Sequence, residues 1–197
     1  GNTYASLVGF MFAETRISGV KIPFHVNFEE VNLRFYVRYK DNGVWKRGVT
    51  FIKEIVPKHA ITFVANTFYN EKYCTMKMSN KFEKKEAETL LGYYWRDGNH
   101  WNKLEATIGN ETSPMIVGSE EEFIAEHYWG YSRHSSVETC EYGVEHPKWN
   151  VYPVKNYQID CEFGKLYGDA FSILLYKAPA SVFVAQGSDI IVRSKRL

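Results

Sequence analysis

The sequence predicts a mainly β protein, and three observations support this prediction. Aromatic residues make up 16% of the 197 residues, and such side chains, together with Val, Ile and Thr, favour half-buried strands. Short apolar runs are bounded by turn-forming residues, which is typical of strands joined by hairpins. Roughly ten such runs occur without the alternation of strands and helices that marks a parallel sheet. This pattern predicts a closed or nearly closed antiparallel barrel, which leaves no sheet edge exposed.

The first half of the chain contains the clearest strands. TYASLVGFMFAE is predicted as the first of them. VNLRFYVR alternates strictly between an apolar face and a polar face. The polar face carries Asn32, Arg34, Tyr36 and Arg38. KDNG then predicts a tight turn, and VTFIKEIV follows at the short spacing of an antiparallel hairpin.

Further strands are predicted after residue 72. A second meander contains YCTMKM, TLLGYYWR and WNKLEATIG. Its first connection, NKFEKKEAE, is predicted as a solvated turn, and its second, DGNH, as a tight hairpin turn. The remaining predicted strands are VETCEYGVEH, WNVYPV, YQIDCEF, and the pair SVFVA and DIIVRS on either side of Gln186-Gly187.

Three helices are predicted to flank these strands. The first follows Pro57, where apolar residues recur at helical spacing. The second opens at Ser119, because Glu122 three residues later gives the spacing of a capping box. The third spans about residues 165–175. Since no repeat, low-complexity tract or linker interrupts the chain, one domain over residues 1–197 is expected.

Charge and cysteine content exclude several classes of protein. The net charge is +1 without a long run of one sign, so nucleic-acid or membrane partners are not expected. No apolar run approaches the roughly 18 residues of a membrane-spanning helix. Cys74, Cys140 and Cys161 are odd in number and form no C-x-x-C pattern, which argues against a disulfide framework or a zinc site. A reducing, cytoplasmic setting is therefore expected.

Several longer segments resemble one family in order and spacing. They are PFHVNFEEVNLRFYVRYKDNGVWKRGVTFIKEIVPKHAITFVANTFYNEKY, TYASLVGFMF, SEEEFIAEHYWGY, VEHPKWNVYPV, GDAF and PASVFVAQGS. Over nearly the whole chain, the sequence resembles the YqjF-like group of uncharacterised proteins in the acetoacetate-decarboxylase-like superfamily. The resemblance implies an acetoacetate-decarboxylase-like antiparallel β-barrel with about three flanking helices. Members of the group typically carry a further segment ahead of TYASLV, so we expect this chain to lack an N-terminal segment.

The segment EIVPKHA contains the candidate catalytic residues. In acetoacetate decarboxylases a comparable stretch supplies the lysine that forms a Schiff base with a keto acid. The resemblance places Lys58 at that position, with Glu54 before it. Those enzymes use an adjacent lysine to favour loss of the proton, whereas His59 stands there in this chain, and histidine is a weaker substitute at neutral pH. The plainer alternatives are an exposed Lys58 and a Glu54 that pairs with an arginine of the preceding strand.

The polar face of VNLRFYVR supplies the candidate ligand-binding residues. Asn32, Arg34 and Tyr36 share this face and present donors suited to a carboxylate, to which arginine offers a bidentate fork. Barrels can be lined by such mixed residues around a ligand. In the alternative, the apolar face fills the barrel and the polar face lies in water, as is usual for antiparallel sheets.

The remaining motifs give no sign of a metal or a cofactor. The six histidines show no paired spacing typical of metal ligands. One of them, His127 on the second helix, is expected to be a packed or surface residue, with an acid–base role only if that helix covers a pocket. Glycines fall singly at turns, so neither a nucleotide-binding loop nor a serine nucleophile motif is present.

Three functions follow from these residues. The first is a small-molecule-binding β-barrel whose ligand is a carboxylate or a keto acid. The second is a Schiff-base lyase that acts on a small keto acid through Lys58. The third is an oligomeric interaction module, because the decarboxylases of the superfamily are oligomeric, and a homo-oligomer fits this alternative. The missing second lysine favours the first function.

Overall fold

The computed structural model describes residues 3–15 and 26–193. The strands are β1 (Ala5–Phe12), β2 (Phe28–Asp41), β3 (Val44–Val56), β4 (Tyr73–Thr75), β5 (Lys77–Lys84), β6 (Thr89–Asp97), β7 (His100–Ile108), β8 (Ser113–Pro114), β9 (Trp129–Arg133), β10 (Thr139–Glu145), β11 (Asn150–Tyr152), β12 (Val154–Asp160), β13 (Val184–Ala185) and β14 (Ile191–Val192). The helices are α1 (His59–Phe68), α2 (Glu120–Ala125), α3 (Phe163–Tyr167) and the 3-10 helix η1 (Asp169–Tyr176). The mainly β class is confirmed.

The strands form three open sheets. The largest has the order β1-β2-β3-β9-β10-β14, with β4 also beside β3. The other two have the orders β12-β7-β6-β5 and β13-β11-β8. The predicted closed barrel is wrong for the described residues, because closure requires the two edge strands of a sheet to pair. In the largest sheet β1 pairs with β2, and β14 pairs with β10 over two residues.

The largest sheet is mixed rather than antiparallel. β3 pairs in antiparallel fashion with β2, but its partners β4 and β9 run parallel to it. Parallel pairing requires a crossover connection, and α1 lies in the connection between β3 and β4. This crossover brings the residues that follow α1 back beside the end of β3.

Both predicted hairpins are confirmed. Asp41 pairs with Val44 across the turn Asn42-Gly43, where φ is 47° and 87°. Positive φ at both central residues matches the twist of the flanking strands, and Asn-Gly tolerates it. In the second hairpin, β6 and β7 pair from Thr89 to the turn that follows Asp97.

Several predicted boundaries differ from the structure. Residues 80–84 of the predicted turn NKFEKKEAE belong to β5, which is an edge strand and tolerates charged residues. The predicted third helix is broken at Gly168, which has a φ of 107°. The segments SVFVA and DIIVRS contain β13 and β14, which have only two paired residues each and pair with β11 and β10. The last residue of DIIVRS, Ser194, lies outside the described residues.

The apolar core lies between β2–β3 and the sheet that contains β6. Val31, Leu33 and Ile55 are almost fully buried there together with Trp95 and residues of α3. Because successive side chains of a strand point to opposite faces, this packing directs the neighbouring residues of β2 and β3 away from the core. No helix in the described ranges is long and apolar enough to cross a membrane.

Candidate functional site

Three polar side chains stand in a row across neighbouring strands, on the face opposite the apolar core. Asn32 of β2 pairs with Glu54 of β3, and Glu54 pairs with Tyr73 of β4. Directly paired residues present their side chains to the same face of a sheet. Glu30 lies two residues before Asn32 and shares that face. The sheet therefore gathers two carboxyl groups, an amide and a phenol at one place.

Hydrogen bonds join part of this group. The Asn32 amide donates to Glu30 Oε1 at 2.8 Å, and the Tyr73 hydroxyl donates to Glu30 Oε2 at 2.9 Å. Glu30 and Asn32 are 1% exposed and Glu54 is 3% exposed. Within the described residues, Asn32 Oδ1 and Glu54 Oε2 are buried without a hydrogen-bond partner. Buried polar atoms without partners are rare and therefore require an explanation.

A third carboxyl group and a second phenol complete the site. Glu71 precedes β4, and a hydrogen bond links it to the Tyr142 hydroxyl of β10. The Tyr142 ring covers Gly130, its partner on β9, and a Cβ atom there would lie 2.1 Å from Tyr142 Cζ. We call Glu30, Asn32, Glu54, Glu71, Tyr73 and Tyr142 the carboxylate cluster.

Burial changes the protonation of these carboxyl groups. It raises the pKa of Glu30 to about 7, against the opposing effects of hydrogen bonds from Asn32 and Tyr73 and of the Arg34 charge. Burial, followed by the charges of Glu30 and Glu71, raises the pKa of Glu54 well above its usual value. Close carboxyl groups in a low-dielectric site cannot all ionise. The cluster therefore holds protons at neutral pH that exposed carboxyl groups have lost.

Arg34 is the cation beside this cluster. It is half-buried, and its Nε donates to the Tyr36 hydroxyl at 3.3 Å. Burial raises the pKa of Glu30 and the Arg34 charge opposes this rise, whereas burial and the charges of Arg47 and Arg34 together lower the pKa of His127. No carboxylate of the described residues forms an ion pair with Arg34. Within the described ranges its guanidinium therefore has no anionic partner.

A buried histidine lies on the other side of Arg34. His127 follows α2, and its ring centroid lies 4.7 Å from that of Tyr36 and 5.0 Å from that of Phe123. Burial, then the charges of Arg47 and Arg34, lowers the pKa of His127 to about 4. The imidazole is thus neutral at pH 7, as expected of a packed histidine, and its Nδ1 is buried without a partner in the described part of the chain.

Burial increases stepwise along the polar face of β2. Arg38 is exposed, Tyr36 and Arg34 are half-buried, and Asn32 is buried. The alternative in which this face lies in water is therefore wrong for its inner part. Exposure therefore falls along this face from Arg38 toward the carboxylate cluster.

The two candidate catalytic residues occupy different environments. Glu54 belongs to the carboxylate cluster, whereas Lys58 is half-buried and immediately precedes α1, where its carbonyl accepts from the Thr62 amide at 3.2 Å. The Lys58 ammonium makes no hydrogen bond or ion pair with another described residue, Glu54 included. The predicted salt bridge between Glu54 and an arginine of β2 is wrong for the same ranges.

Sequence reasoning missed four members of the cluster. Glu30 could have been found by extending the alternation of β2 one step upstream, through Asn32 to Glu30. Glu71, Tyr73 and Tyr142 carry no comparable signal, because their positions depend on the parallel pairing of β4 and on the distant strand β10.

Cavity size does not single out this site. Two cavities of the described residues have volumes of about 180 and 240 Å³. One lies beside Glu126 and Trp149, the other beside Cys161 and Leu175. Neither is lined by a member of the carboxylate cluster. The cluster is the stronger candidate, because buried oxygens without partners in the described ranges and raised carboxyl pKa values occur together there, with Arg34 nearby.

Comparisons with known proteins give a family but no activity. The family model DUF2071, described as an uncharacterized conserved protein, matches residues 1–189. No curated protein matches the chain. Among solved structures, the chain is similar to an acetoacetate decarboxylase from Legionella pneumophila subsp. pneumophila str. Philadelphia 1. The identity is 12%, the alignment covers 83% of this chain and 75% of that chain, and the TM-score is 0.43. A TM-score of this size supports no inference about fold or activity.

Proposed function

Because the chain belongs to the DUF2071 family of uncharacterised proteins, whose description names no reaction, we propose a function from the site: the protein binds a small carboxylic or keto acid beside the carboxylate cluster. The membership confirms the family resemblance of the sequence. The observation that carries the proposal is Arg34, a half-buried cation without a carboxylate partner among the described residues. In this proposal Arg34 holds the carboxylate of the ligand.

The guanidinium of Arg34 suits this role. Arginine binds a carboxylate through two parallel hydrogen bonds, and such charge-assisted bonds are about twice as strong as neutral ones. The Nε bond to Tyr36 and the position of the guanidinium carbon 5.8 Å from the Tyr36 ring centroid restrict the side chain. A restricted side chain loses less conformational freedom when the ligand binds.

Protonation of the cluster reduces its electrostatic repulsion of an anionic ligand. Three ionised carboxylates beside Arg34 would repel an anionic ligand. Burial keeps protons on Glu30 and Glu54 near neutral pH, which reduces this repulsion. A neutral carboxyl group also has an O–H donor for the carbonyl oxygen of a keto acid.

Titration calorimetry at pH 7 with acetate, propionate, pyruvate and acetoacetate tests this function. We expect millimolar or tighter binding of at least one acid. Arg34→Ala should weaken that binding by roughly 1.5–3 kcal/mol, or about 10- to 150-fold. Arg38→Ala is the matched control, because Arg38 follows on the same strand but is exposed beside Trp45. Absence of any binding, or equal effects of the two substitutions, would reject the proposal.

Two other predictions lack a favouring observation. A lyase acting through Lys58 requires that residue to meet the substrate carbonyl, and no described contact links its ammonium to the cluster. The oligomeric interaction module stays a prediction, as do the single domain over residues 1–197 and the cytoplasmic setting.

A further inference from the structure

We infer that the preferred ligand of this site is a small hydroxy acid, whose hydroxyl group binds between Asn32 Oδ1 and Glu54 Oε2 while Arg34 holds its carboxylate. This inference rests on the proposed function and names the class of acid. It is motivated by the two oxygens, each buried without a partner within the described ranges. Both belong to residues that are more than nine-tenths buried.

The two oxygens lie on side chains that stand side by side on one face of the sheet. Asn32 and Glu54 are direct partners in the antiparallel ladder of β2 and β3, so their Cβ atoms are about 4.5–5.5 Å apart. The amide orientation of Asn32 follows from its other contact, since Nδ2 donates to Glu30 Oε1. Oδ1 is therefore the atom that still needs a hydrogen-bond donor.

A hydroxyl group fits this pair better than other small polar groups. Asn32 Oδ1 can only accept a hydrogen bond, whereas a neutral Glu54 also carries a proton to donate. Burial and the neighbouring carboxyl groups raise the pKa of Glu54 and favour this neutral form. A hydroxyl both donates and accepts, so one group can bind both partners. A keto oxygen only accepts, an ammonium group only donates, and a methyl group does neither.

The position of Arg34 sets the size of the ligand. Arg34 follows Asn32 by two residues on the same face, which corresponds to about 7 Å along a strand. A β-bulge shifts the register of β2 and β3 just before Arg34, and the Arg34 Nε is held by its hydrogen bond to the Tyr36 hydroxyl. A molecule that spans this distance is small, so the probes are acids in which one or two carbon atoms separate the carboxylate from the hydroxyl. Lactate and 3-hydroxybutyrate are the simplest probes of this kind.

The experiment compares each hydroxy acid with the acid that lacks the hydroxyl. Titration calorimetry at pH 7 measures lactate against propionate and 3-hydroxybutyrate against butyrate. Sites that hydrogen-bond a hydroxyl discriminate strongly against analogues without it, because their polar groups are then left unpaired. We expect the hydroxy acid of at least one pair to bind about tenfold tighter or more.

Substitutions of Asn32 and Glu54 test whether these two residues cause the preference for the hydroxy acid. Asn32→Leu should reduce the preference to less than about threefold, because the accepting oxygen is lost. Glu54→Gln should retain most of it, since glutamine still offers a donor and an acceptor. Arg34→Ala should weaken both acids of a pair by a similar factor and leave their ratio unchanged. Circular dichroism confirms that each variant is folded, and the wild-type ratio decides the question if Asn32→Leu does not fold.

The outcomes separate this inference from the proposed function. The inference would be overturned if hydroxy and unsubstituted acids bound equally well and Arg34→Ala still lowered the affinity for both. The proposed function, binding of a small acid, would stand. That result would be expected if an ordinary water molecule occupied the position between the two oxygens. Failure of every acid to bind would reject the proposed function, and the inference with it.

Discussion

Asn32 and Glu54 lie directly opposite each other on β2 and β3, and both are more than nine-tenths buried although their strands already bury an apolar face on the other side. Val31 and Leu33 pack into the core with Trp95. The sheet is therefore covered on both faces at this point. A polar face enclosed in this way is costly unless its groups are paired, which is the physical reason to regard it as a binding site.

The buried Glu30 should make stability depend on pH. Its pKa of about 7 in the folded protein lies above its ordinary value of 4.5, so the folded state binds the proton more tightly than the unfolded state. The stabilisation from this proton is fully present below pH 4.5 and is lost as the pH rises through 7. The free energy of unfolding, measured by urea denaturation, should therefore fall with a component of roughly 1 kcal/mol per pH unit between pH 5 and 7 that Glu30→Gln removes.

A surface carboxylate provides the control for this experiment. Glu83 is 51% exposed and forms an ion pair with Lys81 at 3.2 Å. Glu83→Gln should leave the pH dependence of the unfolding free energy as in the wild type. If plots of the unfolding free energy against pH were parallel for the wild type and Glu30→Gln, burial would not raise the pKa of Glu30.

Gly130→Ala should destabilise the protein by about 1–3 kcal/mol, as overpacking of a filled site does. A Cβ atom at this position would lie 2.1 Å from Tyr142 Cζ, so the ring must move and carry its hydroxyl away from Glu71. Gly143→Ala on the next strand is the control, because its Cβ would meet Arg193 at an ordinary 3.6 Å. Equal midpoints of thermal unfolding for the two variants would contradict the close packing of Tyr142 on Gly130.

Ser119→Ala should lower the free energy of unfolding by about 0.5–2 kcal/mol. The Ser119 hydroxyl accepts a hydrogen bond from the Glu122 amide at 3.1 Å and caps α2. Ser119→Thr keeps the hydroxyl and should retain most of the stability. The check is the denaturant midpoint, and an unchanged midpoint in Ser119→Ala would mean that the cap contributes nothing.

Borohydride reduction in the presence of acetoacetate should leave Lys58 unlabelled. A Schiff-base lysine must lose its proton near neutral pH, which requires desolvation or a neighbouring cation. Lys58 is only half-buried, and His59 rather than a second lysine follows it. Mass spectrometry of the peptide that contains Lys58, with Lys58→Ala as the control, decides the point. An adduct present only in the wild type would establish that Lys58 forms a Schiff base, the step that the lyase alternative requires.

Patterns of a few adjacent residues were sufficient to predict individual turns and a helix cap. The turn at Asn42-Gly43, the DGNH hairpin and the cap at Ser119 each depend on a few adjacent residues, and the structure has all three. Their energies come from backbone conformation and short-range hydrogen bonds. Such terms can be read from neighbouring residues without knowledge of the rest of the chain.

The predictions failed where the structure depends on contacts between segments that are far apart in the chain. Counting strands suggested a closed barrel, yet β3 has parallel partners in β4 and β9, and the described sheets stay open. Strand pairing is selected by contacts between residues far apart in the chain, and the number of strands does not determine it.

The sequence by itself determined the β class and the alternation that puts Asn32, Arg34 and Tyr36 on one face of β2. Only the tertiary structure decided that this face is buried at Asn32, where Tyr73 bonds to Glu30 and Tyr142 bonds to Glu71 from strands far along the chain. Alternation specifies which side chains share a face, but burial depends on what packs against that face. The carboxyl pKa values depend on that burial, and so does the site proposed here.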